Sequence, residues 1–250
     1  MSARPFAARA DRAMRATTPT PSLRLAVDAL PQRGAVLDVG SGAGAASLPL
    51  LARASRLVAV DTSADMLEEL RARVPAGIDL TLVHGRWPDS AADVPQVDVV
   101  VCHHVAYNIA NLDEAVLRMT EKARRRVVLE LTSHHPLSTL NFLWPIFHGI
   151  QRPTRPTAAD AVDVIRACGL SARFEEWEPA DLRLSSDHVE ELVASVRRHL
   201  CLGADRDAEI ARALESQIVR QGDRVGLQPS PIVTVWWDPP AAGTLASGRS

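Results

Sequence analysis

Lysine and tyrosine are almost missing from this chain of 250 residues: Lys122 is its only lysine and Tyr107 its only tyrosine. Aromatic residues reach 4% in all, and the three cysteines, Cys102, Cys168 and Cys201, lie far apart with no Cys-x-x-Cys pair. A disulfide framework and a zinc knuckle are therefore not expected, and a reduced, cytoplasmic protein is. Charge of one sign is lacking too. The 28 basic residues against 30 acidic ones leave −2, which removes the electrostatic case for a nucleic-acid or anionic-membrane partner. Apolar runs are short: Val97 to Val101 is broken by Asp98, far below the ~20 residues that cross a bilayer. The first 22 residues carry arginines but no apolar core of a secretory signal. What is present is 46% hydrophobic and 23% charged residues, enough for a substantial core.

From residue 34 onward β-branched runs alternate with helical-period segments, the pattern of a parallel sheet covered by helices on both faces. Strands are expected at Ala35–Val39, Arg56–Val60, Asp79–Val83, Val97–Cys102 and Arg126–Leu131, and later at Ala172–Trp177 and Ile232–Trp237. Helices are expected near Leu23–Leu30, Ala45–Ala54, Ala64–Val74 and Leu112–Ala123. The last has Asn111 as its cap and one stripe of Leu112, Ala115, Val116, Met119 and Ala123. Another runs from Thr157 and Asp160 to Gly169. Two amphipathic stripes, Val189 to Leu200 and Ile210 to Ile218, predict a helical hairpin over Ser186–Gly222. The expectation is one domain over 1–250, with a helical segment at 1–33, a ligand-binding core at 34–135, inserted segments at 136–156 and 181–226 as lids, and a loose tail at 239–250.

The most informative stretch is Val36-Leu37-Asp38-Val39-Gly40-Ser41-Gly42-Ala43-Gly44. A strand that ends in closely spaced glycines lets the backbone approach a ligand without Cβ clashes, with free amides at the following helix start. Spacing alone is ambiguous, because Gly40, Gly42 and Ala45 also satisfy the dinucleotide fingerprint. Asp38 separates the two readings: a carboxylate there would repel a pyrophosphate but suits an ammonium group. Asp61 closes the next strand, where its two oxygens could accept both hydroxyls of a ribose. Together they point to an adenosyl ligand with a charged amino-acid tail.

On these residues the sequence resembles the class I S-adenosylmethionine-dependent methyltransferases of the small-molecule type, from about Gly34 to Leu131. The family's Asp/Glu-x-Gly-x-Gly-x-Gly loop is matched by Asp38, Gly40, Gly42 and Gly44, and its second acid by Asp61. Thr62-Ser63-Ala64-Asp65-Met66-Leu67 is similar to the family's turn into the next helix. The resemblance implies an α/β, Rossmann-like, doubly wound seven-stranded sheet, mostly parallel with an antiparallel last strand. It also implies S-adenosylmethionine as methyl donor and S-adenosylhomocysteine as product. The cofactor pocket it implies comprises Asp38, Gly40, Ser41, Gly42, Gly44, Asp61, Thr62, Met66, Gly85, Arg86, Trp87 and His103. One departure stands out: many relatives have Gly-Asp-Ala after the third strand, whereas here Gly85-Arg86-Trp87 leaves the adenine to backbone amides or to stacking on Trp87.

Methyl transfer is an in-line displacement, so alignment carries much of the acceleration, and a hydroxyl or ammonium acceptor also needs a base. The fourth strand runs into Cys102-His103-His104-Val105-Ala106-Tyr107-Asn108, and the fifth ends at Glu130-Leu131-Thr132-Ser133-His134-His135. Carboxyl ends of parallel strands hold the ligands of open α/β sheets. His103, His104 and His134 are the candidate catalytic residues. By the resemblance His103 borders the transferred methyl, while Tyr107 and Asn108 face the acceptor. His135, Trp144 and His148 join them as candidate acceptor contacts, because the apolar segment 136–148 could wall the pocket and favour an apolar or aromatic small molecule. No metal is expected, since no cysteine or carboxylate spacing supports zinc. The family's Asn/Asp-Pro-Pro-Tyr signature is replaced by Cys102-His103-His104-Val105, against methylation of nucleic acid or protein amides. The hairpin over Ser186–Gly222 could instead bind a second subunit, as in a homodimer. Two other readings stay open: a non-catalytic S-adenosylmethionine-binding regulatory subunit, and a dinucleotide-dependent oxidoreductase. Asp38 and the lack of a Tyr-x-x-x-Lys pair speak against the latter.

Overall fold

The computed structural model describes residues 4–240. In chain order it holds helices α1 (Arg4–Arg15) and α2 (Pro21–Ala29), strands β1 (Gly34–Val39) and β2 (Ala54–Asp61), helix α3 (Ala64–Arg71), and strands β3 (Asp79–His84) and β4 (Val97–His103). Then come α4 (Leu112–Lys122), β5 (Ala123–Thr132), α5 (Leu143–His148), α6 (Ala158–Ala167), β6 (Arg173–Trp177) and β7 (Arg183–Ser186). Last are α7 (Val189–His199), α8 (Asp207–Leu214), β8 (Ile218–Gln221), β9 (Arg224–Leu227) and β10 (Ile232–Trp237). These elements fall into two compact units, one of residues 4–131, 158–175 and 233–240, the other of 132–157 and 176–232; the tail expected at 239–250 lies, beyond residue 240, outside the described residues.

The first unit is built on a seven-stranded sheet in the order β3-β2-β1-β4-β5-β10-β6, mostly parallel with one antiparallel strand. Its strands are near-continuous Val/Leu runs because helices cover both faces. Alternate residues go to opposite layers. Leu37, Val39, Val58, Val60, Val100 and Leu129 pack with α4 and α6, while Val36, Leu57, Ala59, Val99 and Val128 pack with α1, α2 and α3. Leu37 is fully buried, and Leu37→Ala at such a site costs about 2–5 kcal/mol. The parallel register sets Asp38 beside Ala59 and Val101, and His103 beside Glu130. The chemistry-bearing residues thus sit where the strands run out at their carboxyl ends, and each strand's length fixes its residue's height.

Helix starts follow local chemistry. Thr20 caps α2 by accepting from the Leu23 amide, with Pro21 in the first turn, and Ser63 caps α3 by accepting from the Met66 amide. Asn111 precedes α4 as expected but makes no side-chain cap bond; Asp113 and Glu114 in the first turn supply the favourable charge there.

Two expectations need correction. The helix expected over Ala45–Ala54 is instead a series of turns and a short 3₁₀ helix over Leu48–Ala52. Pro49 is the reason: within a helix begun at Ala45 it could not donate to Ala45, and its ring would strike that carbonyl. The hairpin expected over Ser186–Gly222 is helical only as α7 and α8. Ile218, counted in its stripe, begins β8, and Gly222-Asp223 is the two-residue turn that pairs Gln221 with Arg224. Gly222 takes φ 59°, which an L side chain rarely adopts. β8, β9 and β7 form an antiparallel three-stranded sheet in the second unit. There Leu140, Leu143, Leu192, Val196, Leu200, Ile210 and Leu214 make a separate core. Within the segment expected to be helical, 1–33, α1 precedes α2; its polar, arginine-rich sequence buries Ala10 completely.

Candidate active site

The glycine loop leaves β1 and folds back on β2. Gly40 and Ser41 donate their amides to the Val60 carbonyl at 2.8 and 3.1 Å, and Gly42 donates to Asp61 Oδ2 at 2.8 Å. Gly40 has φ 68°, and a Cβ there would lie 2.3 Å from Val105, so this glycine serves close packing. Gly42 has φ 50°, and its Cβ would meet nothing within 4 Å. The loop thus has one face packed and one face open, the cradle expected of a ligand-binding turn.

Two residues before Gly40 lies Asp38, 1% exposed, with Oδ2 buried and without a hydrogen-bond partner among the described residues. The Ser41 hydroxyl is buried and unpartnered as well. Burial lifts the Asp38 carboxyl from 3.8 to about 7, the Ser47 hydroxyl pulls against that lift, and the nearby charge of Asp61 adds to it. An unsatisfied buried carboxylate is costly on its own and becomes favourable once a cation reaches it. A ligand that brings an ammonium group fits this donor set. A pyrophosphate does not, the more so because the short 3₁₀ turn after the loop offers little helix dipole to an anion.

Asp61 accepts from Gly42 through one oxygen and from the Ser63 amide through the other, at 2.8 and 2.9 Å. Each carboxylate oxygen has a second lone pair, so two acceptor positions remain for hydroxyls. Thr62 is exposed, with its carbonyl 3.1 Å from His84 Nε2, and Met66 is 7% exposed at the start of α3. Gly85 donates to the Asp61 carbonyl at 3.0 Å, and Arg86 is exposed while its carbonyl accepts from Ser90. Trp87 is 5% exposed, belongs to the core beside α4, and donates its indole N–H to the Ala115 carbonyl at 3.0 Å. Its stacking surface is committed to packing, which corrects the expectation of an adenine platform there.

At the end of β4 the two histidines differ. His103 keeps Nε2 buried and without a partner among the described residues, with Nδ1 3.8 Å from Glu130 Oε2. Burial lowers it to about 4, so its imidazole is neutral at pH 7. His104 takes the left-handed conformation, φ 59°, and places Nε2 3.0 Å from Glu130 Oε1 and Nδ1 3.4 Å from the Tyr107 hydroxyl. Asn108 is exposed at the end of the same turn. Cys102 is fully buried and its thiol is pushed up by burial, so it is inert filling.

The other candidates lie in the second unit. His134 is exposed and lines a cavity of about 360 Å³ with Ser138, Asn141, Phe142, Gln217 and Gln228. His135 accepts the Leu137 amide at 3.2 Å and so caps a local turn. Trp144 is covered by the Arg152 guanidinium at 4.6 Å and stacks near His148, whose Nε2 is 2.9 Å from the Leu200 carbonyl. Trp144 and His148 are thus tied within their own unit. Among the described residues no helix is long and apolar enough to cross a membrane, and no cluster of three or more metal-ligating side chains occurs.

Sequence reasoning missed Glu130 as a site residue. It is 5% exposed, yet it accepts from the Ser22 hydroxyl of α2 and lies 3.6 Å from Arg9 of α1, besides meeting both histidines. The signal was a carboxylate inside Val127-Val128-Leu129-Glu130-Leu131, a run otherwise fit for burial on both sides.

Comparison with known proteins agrees with this geometry. Residues 36–127, which span the glycine loop and β1 to β5, match the methyltransferase domain family. An uncharacterized protein of Haemophilus influenzae is 27% identical over 209 residues, covering 82% of this chain and 76% of that one. Among solved structures, the YcgJ protein of Bacillus subtilis superposes with a TM-score of 0.57 at 17% identity, over 87% of this chain and 97% of that one. The magnesium protoporphyrin IX methyltransferase of Synechocystis, solved with S-adenosylhomocysteine, has a TM-score of 0.50 at 20% identity, over 70% and 77% of the two chains. Strand order, a buried carboxylate on the strand that leads into the glycine turn, and a family match over that same stretch converge: residues 36–127 are a methyltransferase domain, set in a fold shared with solved methyltransferases.

Proposed function

We propose that this methyltransferase acts on an oxygen or nitrogen atom of a small molecule, at the end of β4. When bound, S-adenosylmethionine supplies a methyl group on a sulfonium, ready for in-line attack. The single observation that carries the assignment of the donor pocket is Asp38 Oδ2, buried and partnerless on the strand that leads into the glycine turn. Asp38 takes the ammonium of the donor, the Ser41 hydroxyl its carboxylate end, and the free lone pairs of Asp61 the ribose hydroxyls. With Trp87 committed to the core and Arg86 exposed, the adenine is left to the backbone near Gly85.

On the acceptor side His103 offers a neutral imidazole whose Nε2 has no competing partner, suited to hold the acceptor atom in line. Alignment of this kind supplies much of the rate in an in-line displacement.

The test is calorimetric titration of the purified protein with S-adenosylhomocysteine, with NAD and NADP in parallel. Micromolar binding of the first alone is expected. Binding of a dinucleotide instead overturns the pocket assignment.

A further inference from the structure

A buried carboxylate in a sheet is costly unless each of its lone pairs finds a donor. Glu130 has four groups on it from outside its own strand: the Ser22 hydroxyl, Arg9 at 3.6 Å, His103 at 3.8 Å and His104 at 3.0 Å. Burial raises its pKa, but the two histidines and the Ser22 hydroxyl outweigh that and hold it well below the usual carboxylate range. It is therefore an ion, and an ion can only accept.

That settles the proton on His104. Nε2 faces Glu130 and must carry the hydrogen, which leaves Nδ1 as an acceptor toward the Tyr107 hydroxyl at 3.4 Å. The arrangement is held from two sides, since the His104 amide also donates to the Glu130 carbonyl at 2.7 Å. A histidine that only decorated the rim would have no need of the left-handed backbone at φ 59° that turns its ring onto Glu130.

We propose that Glu130 is the positioning residue of a proton relay, Glu130–His104–Tyr107, and that the methyl acceptor is accordingly a protic group with a free lone pair, a hydroxyl or a neutral amine N–H. This rests on the methyl-transfer reading above. As the acceptor's lone pair forms its bond to the methyl carbon, the carbon–sulfur bond breaks and its electron pair stays on sulfur. The acceptor's proton passes to the Tyr107 oxygen, the Tyr107 proton passes to His104 Nδ1, and the imidazolium is paired by Glu130 until it returns its proton to water. A carboxylate acceptor has no proton to lose and would leave the relay idle. His103 is set apart from it: 3.8 Å is beyond hydrogen-bond reach, and burial keeps its ring neutral.

The experiment is long-range ¹⁵N imidazole NMR on the full chain with S-adenosylhomocysteine, titrated from about pH 5 to 9, for the wild type, Glu130→Gln and Tyr107→Phe. The expected result is an Nε2–H tautomer of His104 at high pH, with a titration midpoint that drops by a unit or more in Glu130→Gln, a tenfold loss of basicity. Tyr107→Phe is expected to shift the Nδ1 resonance of His104 and leave His103 unchanged. An Nδ1–H tautomer in the wild type, or a midpoint unmoved by Glu130→Gln, overturns the relay. If Glu130→Gln fails to fold, the wild-type tautomer and Tyr107→Phe decide. Calorimetry with S-adenosylhomocysteine on the same samples separates the two readings: a wild type that does not bind it sinks the methyl-transfer reading, whereas the imidazole data judge the relay alone.

Discussion

Two carboxylates near the carboxyl ends of β1 and β5, with β4 between them and both nearly free of solvent, have opposite fates in this protein. Asp38 is 1% exposed and has one oxygen with nothing to bond, so burial lifts its pKa to about 7. Glu130 is 5% exposed and surrounded by donors, so it stays charged. Burial is common to both, and what differs is how many partners the fold itself provides. The carboxylate the fold leaves short marks where a ligand must complete the structure; the one it satisfies is already part of the working frame.

The largest effect should come from removing the satisfied partner. Glu130→Ala is expected to lower unfolding free energy by about 2–4 kcal/mol in urea denaturation, because Ser22 and His104 lose their acceptor. An unchanged denaturation midpoint would erase the contrast between the two sites. Asp38→Asn should do the reverse. It is expected to weaken S-adenosylhomocysteine binding by about 1–3 kcal/mol in calorimetry while leaving the unliganded protein as stable as before or more so at pH 8.

The comparison also has a pH signature. Folded Asp38 holds a proton that the unfolded chain has already released, so its contribution to unliganded stability falls as pH rises from about 4 to about 7, by up to about 1.4 kcal/mol per unit. His103, lowered from 6.5 to about 4, opposes it by costing stability as pH falls through that window. The clean measure is the melting-temperature difference between Asp38→Asn and the wild type, expected to grow in the variant's favour between pH 4 and 7. Glu130 acts elsewhere: its lowered pKa gives stability that is present above its ordinary value and lost only in stronger acid. A difference that stays flat across pH 4 to 7 would mean that Asp38 is not protonated in the free protein. The smallest effect is expected from Asp61→Asn, about 1 kcal/mol of affinity, because the amide oxygen still accepts one of the loop amides.

The sheet was legible because its strands are unbroken apolar runs, and the cofactor end was legible because Asp38, the glycines and Asp61 sit within one strand-turn-strand stretch. The turn after the loop was misread because alanine content outweighed Pro49, a single residue that forbids the helix. The small sheet of the second unit escaped because four-residue strands such as Ile218–Gln221 also satisfy a helical period. Glu130 escaped for a different reason. Its meaning comes from Arg9, Ser22 and His104, which no spacing along the chain connects to it and which only strand pairing and two N-terminal helices bring near.

Gly40 packs against Val105, the residue between His104 and the Tyr107 turn. The segment proposed to receive the methyl donor and the segment proposed to meet the acceptor are therefore in van der Waals contact. That favours an obligatory sequence of encounters in which the donor enters first and its spent form leaves last. Initial-rate kinetics should then show S-adenosylhomocysteine competing with the donor but not with the acceptor, and widening the contact with Val105→Ala should loosen that order.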